Sequence, residues 1–329
     1  MGARLHRLPL IPVFAALAAA TAGLLLLSLL LGSADFGPAE VWQALTDPAP
    51  TLARDIVLDL RLPRALTAFA VGGLLGLAGA LLQVLLRNPL ADPYVLGVSG
   101  GASVLALLAL MAGLPAVLVD GAAGLGALLA CVLVFALAQG PGGWTPTRLL
   151  LTGVVVAAGA GSVVSLLLAL GDDTRLRGMV FWLLGDLSRG DRWPWLLTLL
   201  AGATVSCIVL GRPLNVLARG ETLAATVGLD VRGARTIVFL LSSVLTGCAV
   251  STAGSIGFVG LVTPHLVRLA VGNDQRVVLA GSALLGGFVL MAADLASRVA
   301  LAPRQLPVGA LTALVGVPIF LALMLRQRS

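Results

Sequence analysis

The sequence contains no lysine and few charged residues of any kind. Of its 329 residues, 11% are charged and 59% are hydrophobic, and the mean hydropathy is +1.05. A water-soluble globular protein carries about one quarter charged residues. The shortage of charge therefore argues against a large water-soluble core, and the length predicts many membrane-spanning segments.

Cysteine and histidine are also scarce. Cys131, Cys207 and Cys248 lie in apolar stretches, where cysteine behaves as a small hydrophobic residue, and they form no CxxC pair. The histidines are His6 and His265. Because a catalytic zinc site needs several such ligands, we predict that this chain holds no metal and binds no cofactor.

The motifs of several enzyme classes are missing. The sequence has no GxxxxGK[ST] phosphate-binding loop, no HExxH, no GxSxG and no paired buried acids suited to general acid–base chemistry. All the basic residues are arginines placed between apolar runs. Basic flanks of membrane segments explain them, so we predict a non-catalytic membrane protein that binds no nucleic acid.

The apolar runs predict about ten transmembrane helices in one domain, residues 1–329. Most runs approach the roughly 20 residues needed to cross the hydrocarbon. The first run follows Arg4 and Arg7 but is longer than the apolar core of a signal peptide, so we predict a retained span. The predicted spans are residues 10–32, 64–85, 94–113, 115–138, 148–170, 193–211, 236–254, 258–271, 278–298 and 307–326.

The arginines also give a topology. With a cytoplasmic N-terminus, the cytoplasmic connections hold a small excess of arginine, in agreement with the positive-inside rule. An even number of spans returns the C-terminus, with Arg326 and Arg328, to the cytoplasm. The long connection 33–63, which is rich in acidic residues, then faces outward.

Glycines interrupt the approach to the eighth span. Gly254, Gly257 and Gly260 make residues 252–265 a candidate broken segment, and such backbone is tolerated at membrane depth only beside protein or a water-filled pathway. His265 follows Pro264 in this segment. We favour a structural histidine that bonds a backbone carbonyl over a haem or metal ligand.

Two charged stretches allow alternative interpretations. Arg61 and Arg64 bracket Pro63 before the second span, which is consistent with interfacial anchoring or with docking of an acidic partner. Asp294 precedes Arg298 by one helical turn, which predicts an ion pair, with a proton relay as the less favoured alternative.

The polar connections predicted to be cytoplasmic contain a second set of candidates. Residues 214–235 predict a coupling loop with a short helix from Glu221 to Val227, ended by Gly228; an ordinary interfacial linker is the alternative. Asn88, between Arg87 and Pro89, can cap a turn or line a constriction. Pro146 and Thr147 stand where the fifth span begins.

The order of these motifs resembles the FecCD-type permeases of type II ABC importers, which take up ferric siderophores, haem or cobalamin. The resemblance covers about residues 55–326 and is specific in the combination and order of its motifs. The matching stretches are RLPR at 61–64, GALLQVLLRNPLADPYVLGVSGGAS at 79–103, FWLLGDLS at 181–188, LARGETLAATVGLDV at 217–231, AGSIGFVGLVTPHLVRL at 253–269, ADLASR at 293–298 and LPVGALTALVGVPIFLALML at 306–325.

The resemblance implies a ten-helix subunit of the bacterial inner membrane that forms a homodimer around the transport pathway. Two cytoplasmic ATPase subunits would use ATP and Mg²⁺, and a periplasmic binding protein would deliver the metal chelate. The implied docking residues are Arg61, Arg64 and Arg298, and the implied gate residues are Asn88, Leu90, Pro146 and Thr147. The implied ATPase-coupling residues are Leu217, Arg219, Gly220, Glu221, Thr222, Ala225, Gly228 and Leu229.

This sequence departs from the family pattern at three positions. Gln305 stands where the family usually has glutamate, Pro146 changes the polarity of the implied gate, and Ser255 replaces a frequent proline. An ion-coupled secondary transporter is the alternative function, and it would need Asp294 or Asp120 as a titratable group. An intramembrane enzyme is disfavoured because no catalytic constellation is visible.

Overall fold

The computed structural model describes residues 9–32, 36–141, 143–188, 190 and 192–326. Within these ranges the chain is built from helices and contains no strand, so the predicted all-α class is confirmed. The two ends that the sequence predicts to be cytoplasmic, residues 1–8 and 327–329, lie outside the described residues, as do Arg4, Arg7 and Arg328.

The helices follow one another with short connections. A π-helical segment, Ile56–Arg61, joins α3 to α4, and a 3₁₀ turn, Pro93–Leu96, precedes α5. The α-helices are α1 (Leu10–Leu30), α2 (Pro38–Thr46), α3 (Leu52–Asp55), α4 (Leu62–Leu85), α5 (Val98–Met111), α6 (Ala116–Ala138), α7 (Pro146–Leu170), α8 (Asp173–Leu183), α9 (Trp193–Val209), α10 (Gly211–Ala218), α11 (Glu221–Thr226), α12 (Val231–Ala253), α13 (Val259–Val271), α14 (Gln275–Val299) and α15 (Val308–Arg326).

Each predicted span overlaps one apolar helix. Of these helices, α1, α4, α6, α7, α12 and α14 are long and apolar enough to cross a membrane, α9 is so only together with α10, and α5, α13 and α15 are shorter. Several boundaries differ. The predicted span 193–211 ends at Val209, where the chain bends by 63° into α10. The predicted loop 33–63 contains α2, α3 and the π-helical segment. The last two are continuous with α4, because helical hydrogen bonding extends from Leu52 to Leu85.

Helix α4 is the centre of the bundle. Of its most apolar 18-residue stretch, 89% is buried, and α14, α12 and α13 pack against it. Glycines allow this close packing: a Cβ atom on Gly72 would overlap the backbone of Gly286, and one on Gly79 would overlap the backbone of Gly260. Small residues at helix crossings let backbones approach closely in membrane proteins.

Helix α7 lies at the periphery. Only 6% of its most apolar 18 residues are buried, and α1 is similar at 11%. The exposed side of α7 is mainly apolar and small, with Val154, Val155, Ala158 and Leu166, and also includes Ser162. Such a surface is suited to contact with lipid or another subunit rather than with water.

The predicted broken segment is shorter than residues 252–265. Helix α12 ends at Ala253 and α13 begins at Val259, so the break spans 254–258 and the residues after it are helical despite Pro264. The Tyr94 hydroxyl donates to the Ile256 carbonyl (3.0 Å) and accepts from the Ile256 amide (2.9 Å). Side chains thus satisfy backbone groups that the break removes from helical bonding.

Candidate functional site

The sequence-predicted site residues separate toward the two ends of α4. Arg64 lies near the beginning of α4, with Arg61 just before it and Arg298 beside it, whereas Asn88 follows its end. We call these the Arg64 end and the Asn88 end. The Asn88 end also contains α10 and α11, because Arg87 contacts Glu221.

A buried carboxylate organises the Arg64 end. Asp294 is fully buried, and its two oxygens lie 2.8 Å from Arg64 Nε and 3.0 Å from Arg298 Nε. Arg64 Nη1 also donates to the Gln305 side-chain oxygen (2.9 Å). The predicted ion pair between Asp294 and Arg298 is confirmed, and Arg64 is a second partner that spacing along the sequence did not indicate.

Arg61 is held by the backbone of α1. Its Nη1 donates to the carbonyls of Leu29 (2.6 Å) and Leu30 (2.9 Å), and its guanidinium lies 5.2 Å from the centre of the Phe36 ring. The exposed fractions of Arg61, Arg64 and Arg298 are only 5%, 8% and 7%. All three predicted docking residues therefore bond within this chain, and their docking role stays a prediction.

The two acids required by the secondary-transporter alternative both lie beside arginines. Asp120 lies 3.1 Å from Arg192 Nη2, and Asp294 lies between Arg64 and Arg298. Both acids are therefore already paired within this chain, which gives no support to the secondary-transporter alternative.

The predicted gate residues lie at two chain turns. The Asn88 side-chain oxygen accepts from the Leu90 amide (2.9 Å), and this turn leaves the Leu90 side chain 42% exposed. Pro146 is the first residue of α7, and the preceding Thr145 caps the helix by accepting from the Arg148 amide (3.2 Å). Thr147 is exposed on the first turn of α7.

The predicted coupling loop, residues 214–235, is mostly helical. Its first residues belong to α10 and its last belong to α12, and the predicted short helix is α11. Gly228 ends that helix with a φ of +83°, as expected for a glycine at this position. The ends of the segment 214–235 therefore belong to α10 and α12, and its coupling role stays a prediction. The short helix is present over Glu221–Thr226, one residue shorter than predicted, with Gly228 after its end.

Helix α11 has a buried side and an exposed side. Ala224 is fully buried, whereas Leu223 and Val227 are 44% and 63% exposed. Of the predicted coupling residues, Leu217 is buried, Gly220, Glu221 and Leu229 are partly buried, and Arg219, Thr222, Ala225 and Gly228 are exposed. The segment therefore presents an apolar ridge at the Asn88 end, where a partner can cover it.

Helix α10 is fixed to the beginning of α14. Asn215 donates from its amide to Asp274 Oδ1 (2.9 Å) and accepts from the Gln275 backbone amide (2.9 Å). The bond from Asn215, assisted by Arg276, holds the pKa of the Asp274 carboxyl below its usual value. A cavity of about 680 Å³ opens beside this contact and is also lined by Arg219 and Arg268.

A pair of arginines behind α11 was missed by reasoning from the sequence. Glu221 lies 3.4 Å from Arg87 Nη2 and 3.2 Å from Arg235 Nη1. Arg235 Nη2 donates to the Trp144 carbonyl (2.7 Å), and its guanidinium lies 4.0 Å from the centre of the Trp144 ring. The position of Arg87 next to Asn88 was a sequence signal that could have revealed the first contact. No local sequence pattern connects Arg235 with Trp144.

Comparison with known proteins decides the family. Residues 20–326 match the FecCD transport family. The chain belongs to the FecCD transport family. It is 39% identical over 319 residues to the hemin transport system permease protein HmuU of Yersinia pestis, which covers 93% of this chain and 94% of that protein. It is 45% identical over 286 residues to the cobalamin import system permease protein BtuC of Halobacterium salinarum, which covers 85% and 75%.

A solved structure agrees with this membership. A metal-chelate type ABC transporter in an inward-facing conformation matches with a TM-score of 0.85 and 28% identity, over 96% of this chain and 99% of that one. The predicted type II ABC importer permease fold is therefore confirmed. This FecCD protein is a multi-pass membrane protein of the permease class, the non-catalytic membrane component of an ABC transporter.

Proposed function

We propose that this FecCD permease forms the membrane pathway of an ATP-driven importer for a metal chelate. The observation that carries the proposal is the family match over residues 20–326 together with the exposed apolar ridge of α11, whose first residue Glu221 contacts Arg87 and Arg235. The cargo would be haem, a ferric siderophore or cobalamin, since the relatives include a hemin permease and a cobalamin permease.

Two ATPase subunits would bind at the Asn88 end. Leu223 and Val227 offer an apolar contact on the exposed side of α11, and Arg219 and Thr222 add polar groups around it. The sequence itself has no phosphate-binding loop, so ATP and Mg²⁺ would be bound by the partner chains. Ordering α11 against a partner would transmit movement to the neighbouring gate turns.

A second copy of this chain would complete the pathway. The exposed side of α7 is too apolar to be stable in contact with bulk water. It also includes Ser162 and Ser165, but their hydroxyls bond to the backbone of the same helix. In a symmetric dimer, the same surface of each subunit meets around the axis. We propose that α7 faces this axis, with Thr147 near the cytoplasmic exit and lipid around the outer helices.

A periplasmic binding protein would dock at the Arg64 end. The predicted residues Arg61, Arg64 and Arg298 are buried, so we propose that they hold the docking surface in shape through α1, Asp294 and Gln305. Arg304, which is exposed beside Gln305, would supply an accessible positive charge for an acidic partner.

This arrangement implies a location and an orientation. The protein would lie in the bacterial inner membrane with the Asn88 end and both termini in the cytoplasm. The slight excess of arginine on that side is consistent with this orientation. An ion-coupled secondary transporter is less favoured, because Asp120 and Asp294 both lie beside arginines.

Reconstitution tests the proposed function. The purified permease alone should hydrolyse no ATP, and it should form a dimer in detergent by mass measurement. In proteoliposomes with its ATPase and binding protein, it should take up a metal chelate only when ATP is supplied. Uptake by this chain alone, driven by a proton gradient, would contradict the proposal and support the secondary-transporter alternative.

A further inference from the structure

Glu221 stands between two parts of the chain that lead to the gate turns. Its Oε1 lies 3.4 Å from Arg87 Nη2, and its Oε2 lies 3.2 Å from Arg235 Nη1. Arg87 follows the end of α4, and Arg235 lies in the first turns of α12. Each carboxylate oxygen thus bonds an arginine from a different part of the chain.

The first arginine leads directly to Asn88 and Leu90. Arg87 adopts a φ of +48°, a left-handed conformation that is uncommon for a residue other than glycine. The next residue, Asn88, bonds the Leu90 amide through its side chain and the Ala91 amide (3.1 Å) through its carbonyl. These two bonds hold the Asn88 turn together directly after Arg87.

The second arginine leads to the start of α7. Arg235 is 8% exposed, and it bonds the Trp144 carbonyl while lying over the Trp144 ring. Both contacts involve a cation, so they are stronger than bonds between neutral groups. Trp144 packs against Phe135 and Phe239 and is followed directly by the cap of α7. Pro146 and Thr147 therefore follow the position of Arg235.

Helix α11 is suited to move as a unit. Gly220 and Gly228 flank it with φ values of +123° and +83°. Leu223 and Val227 are exposed on one side, where the proposed ATPase binds, and Glu221 reaches inward to the two arginines. The helix therefore has a partner surface on one side and two charge-assisted contacts to the rest of the chain on the other.

We infer that Glu221 is the positioning residue through which movement of α11 reaches both gate turns. This inference rests on the proposed function, because it requires an ATPase that moves α11 and a gate at Asn88, Leu90, Pro146 and Thr147. Glu221 contacts neither ATP nor cargo in this role. It acts on the gate through Arg87 and Arg235. Because one carboxylate bonds both arginines, the two turns move together.

The variant Glu221→Gln tests the inference with little change in volume. The two arginines bond separate carboxylate oxygens, and in glutamine one of these oxygens becomes an NH2 group. One arginine would then face a donor instead of an acceptor, and both would lose the negative charge. In proteoliposomes containing the ATPase and the binding protein, the amount of cargo transported per ATP hydrolysed should fall roughly tenfold, which lies within the range of typical coupling energies. ATP hydrolysis should continue, since the apolar side of α11 is unchanged.

Asp230→Asn is the matched control. Asp230 lies in the same segment and caps α12 by accepting from the Gly233 amide (3.0 Å), and it has no ion pair among the described residues. Asparagine caps a helix as well as aspartate does. This variant makes the same change of carboxylate to amide and should keep the wild-type ratio of transport to hydrolysis.

A direct readout of the gate separates positioning from stability. With Leu90→Cys added, a membrane-impermeant maleimide should label the new thiol at different rates with and without a non-hydrolysable ATP analogue. The parent protein, with its three native cysteines, sets the background. Glu221→Gln should remove the nucleotide-dependent difference, whereas Asp230→Asn should retain it.

Arg87→Gln keeps the test decisive if Glu221→Gln fails to fold. The Arg87 side chain is 45% exposed, so its loss spares the interior and removes only one of the two connections. It should give an intermediate ratio of cargo transported to ATP hydrolysed, and combining it with Glu221→Gln should add little to the effect of Glu221→Gln alone.

A wild-type ratio of transport to hydrolysis and an unchanged labelling response of Leu90→Cys in these variants would overturn the inference. Failure of the wild-type assembly to transport would overturn the proposed function instead.

Discussion

Asp294 shows how a single residue determines the structure of the Arg64 end. Its carboxylate is fully buried between Arg64 and Arg298, which come from α4 and α14. A buried charge is costly unless it is paired and hydrogen-bonded. The two arginines and one acid leave an excess positive charge, and Gln305 accepts a further bond from Arg64.

Replacing Asp294 with asparagine should strongly destabilise the protein. Two buried guanidinium groups would lose their counter-charge, and breaking a buried ion pair costs about 3–5 kcal/mol. The measurement is the thermal unfolding of purified protein in detergent. Asp59→Asn, at an exposed acid in the π-helical segment, is the control and should unfold like the wild type. Equal stability of both variants would contradict the structural role of Asp294.

At the scale of elements, the packing of α4 depends on positions without side chains. Gly79 faces the backbone of Gly260 in α13, immediately after the break at 254–258. A methyl group at Gly79 would have to displace main-chain atoms rather than a flexible side chain. The contact therefore fixes α13, and with it the broken segment, against the central helix.

Gly79→Ala should lower the free energy of unfolding by about 1–3 kcal/mol, the usual cost of overpacking a tight interior. Gly202→Ala in α9 is the matched control, because a Cβ atom there meets no atom within 4 Å. That control should be neutral or slightly stabilising, since alanine favours helix more than glycine does. Thermal unfolding in detergent distinguishes the two, and equal midpoints would show that α4 and α13 can separate without cost.

At the scale of the whole molecule, the two ends of α4 have different kinds of charged surface. At the Asn88 end, Arg87 and Arg235 pair with Glu221, and the apolar side chains of Leu223 and Val227 are exposed for a partner. At the Arg64 end, three arginines are buried and Arg304 is exposed. Partner binding at the Arg64 end should therefore depend on salt, because the exposed charge of Arg304 is screened by ions.

Association with the binding protein tests this assignment. Arg304→Glu should weaken the association and reduce its salt dependence, because charge attraction between surfaces raises the association rate. The folded permease should be as stable as the wild type. Arg64→Glu should instead lower the unfolding temperature, since it places two acids beside each other in the interior. If Arg64→Glu changes only the association, Arg64 contacts the binding protein directly, as the family resemblance implies.

The sequence by itself determined the class of protein, the approximate positions of its spans and the family. Hydrophobic length, capping residues and helix-stopping glycines act locally, so Pro146 marks the start of α7 and Gly228 marks the end of α11 without knowledge of the fold. The ordered motifs carried the rest of that identification, and the match over residues 20–326 agrees with them.

Only the tertiary structure decided which charged groups meet and which are exposed. Arg64 and Asp294 are 230 positions apart in the chain, and Arg87 and Glu221 are 134 apart. Such pairs have no periodic signature, because they depend on how α4 crosses its neighbours rather than on local propensity. For the same reason the sequence could not show that the predicted docking arginines are buried or that Glu221 pairs with both Arg87 and Arg235.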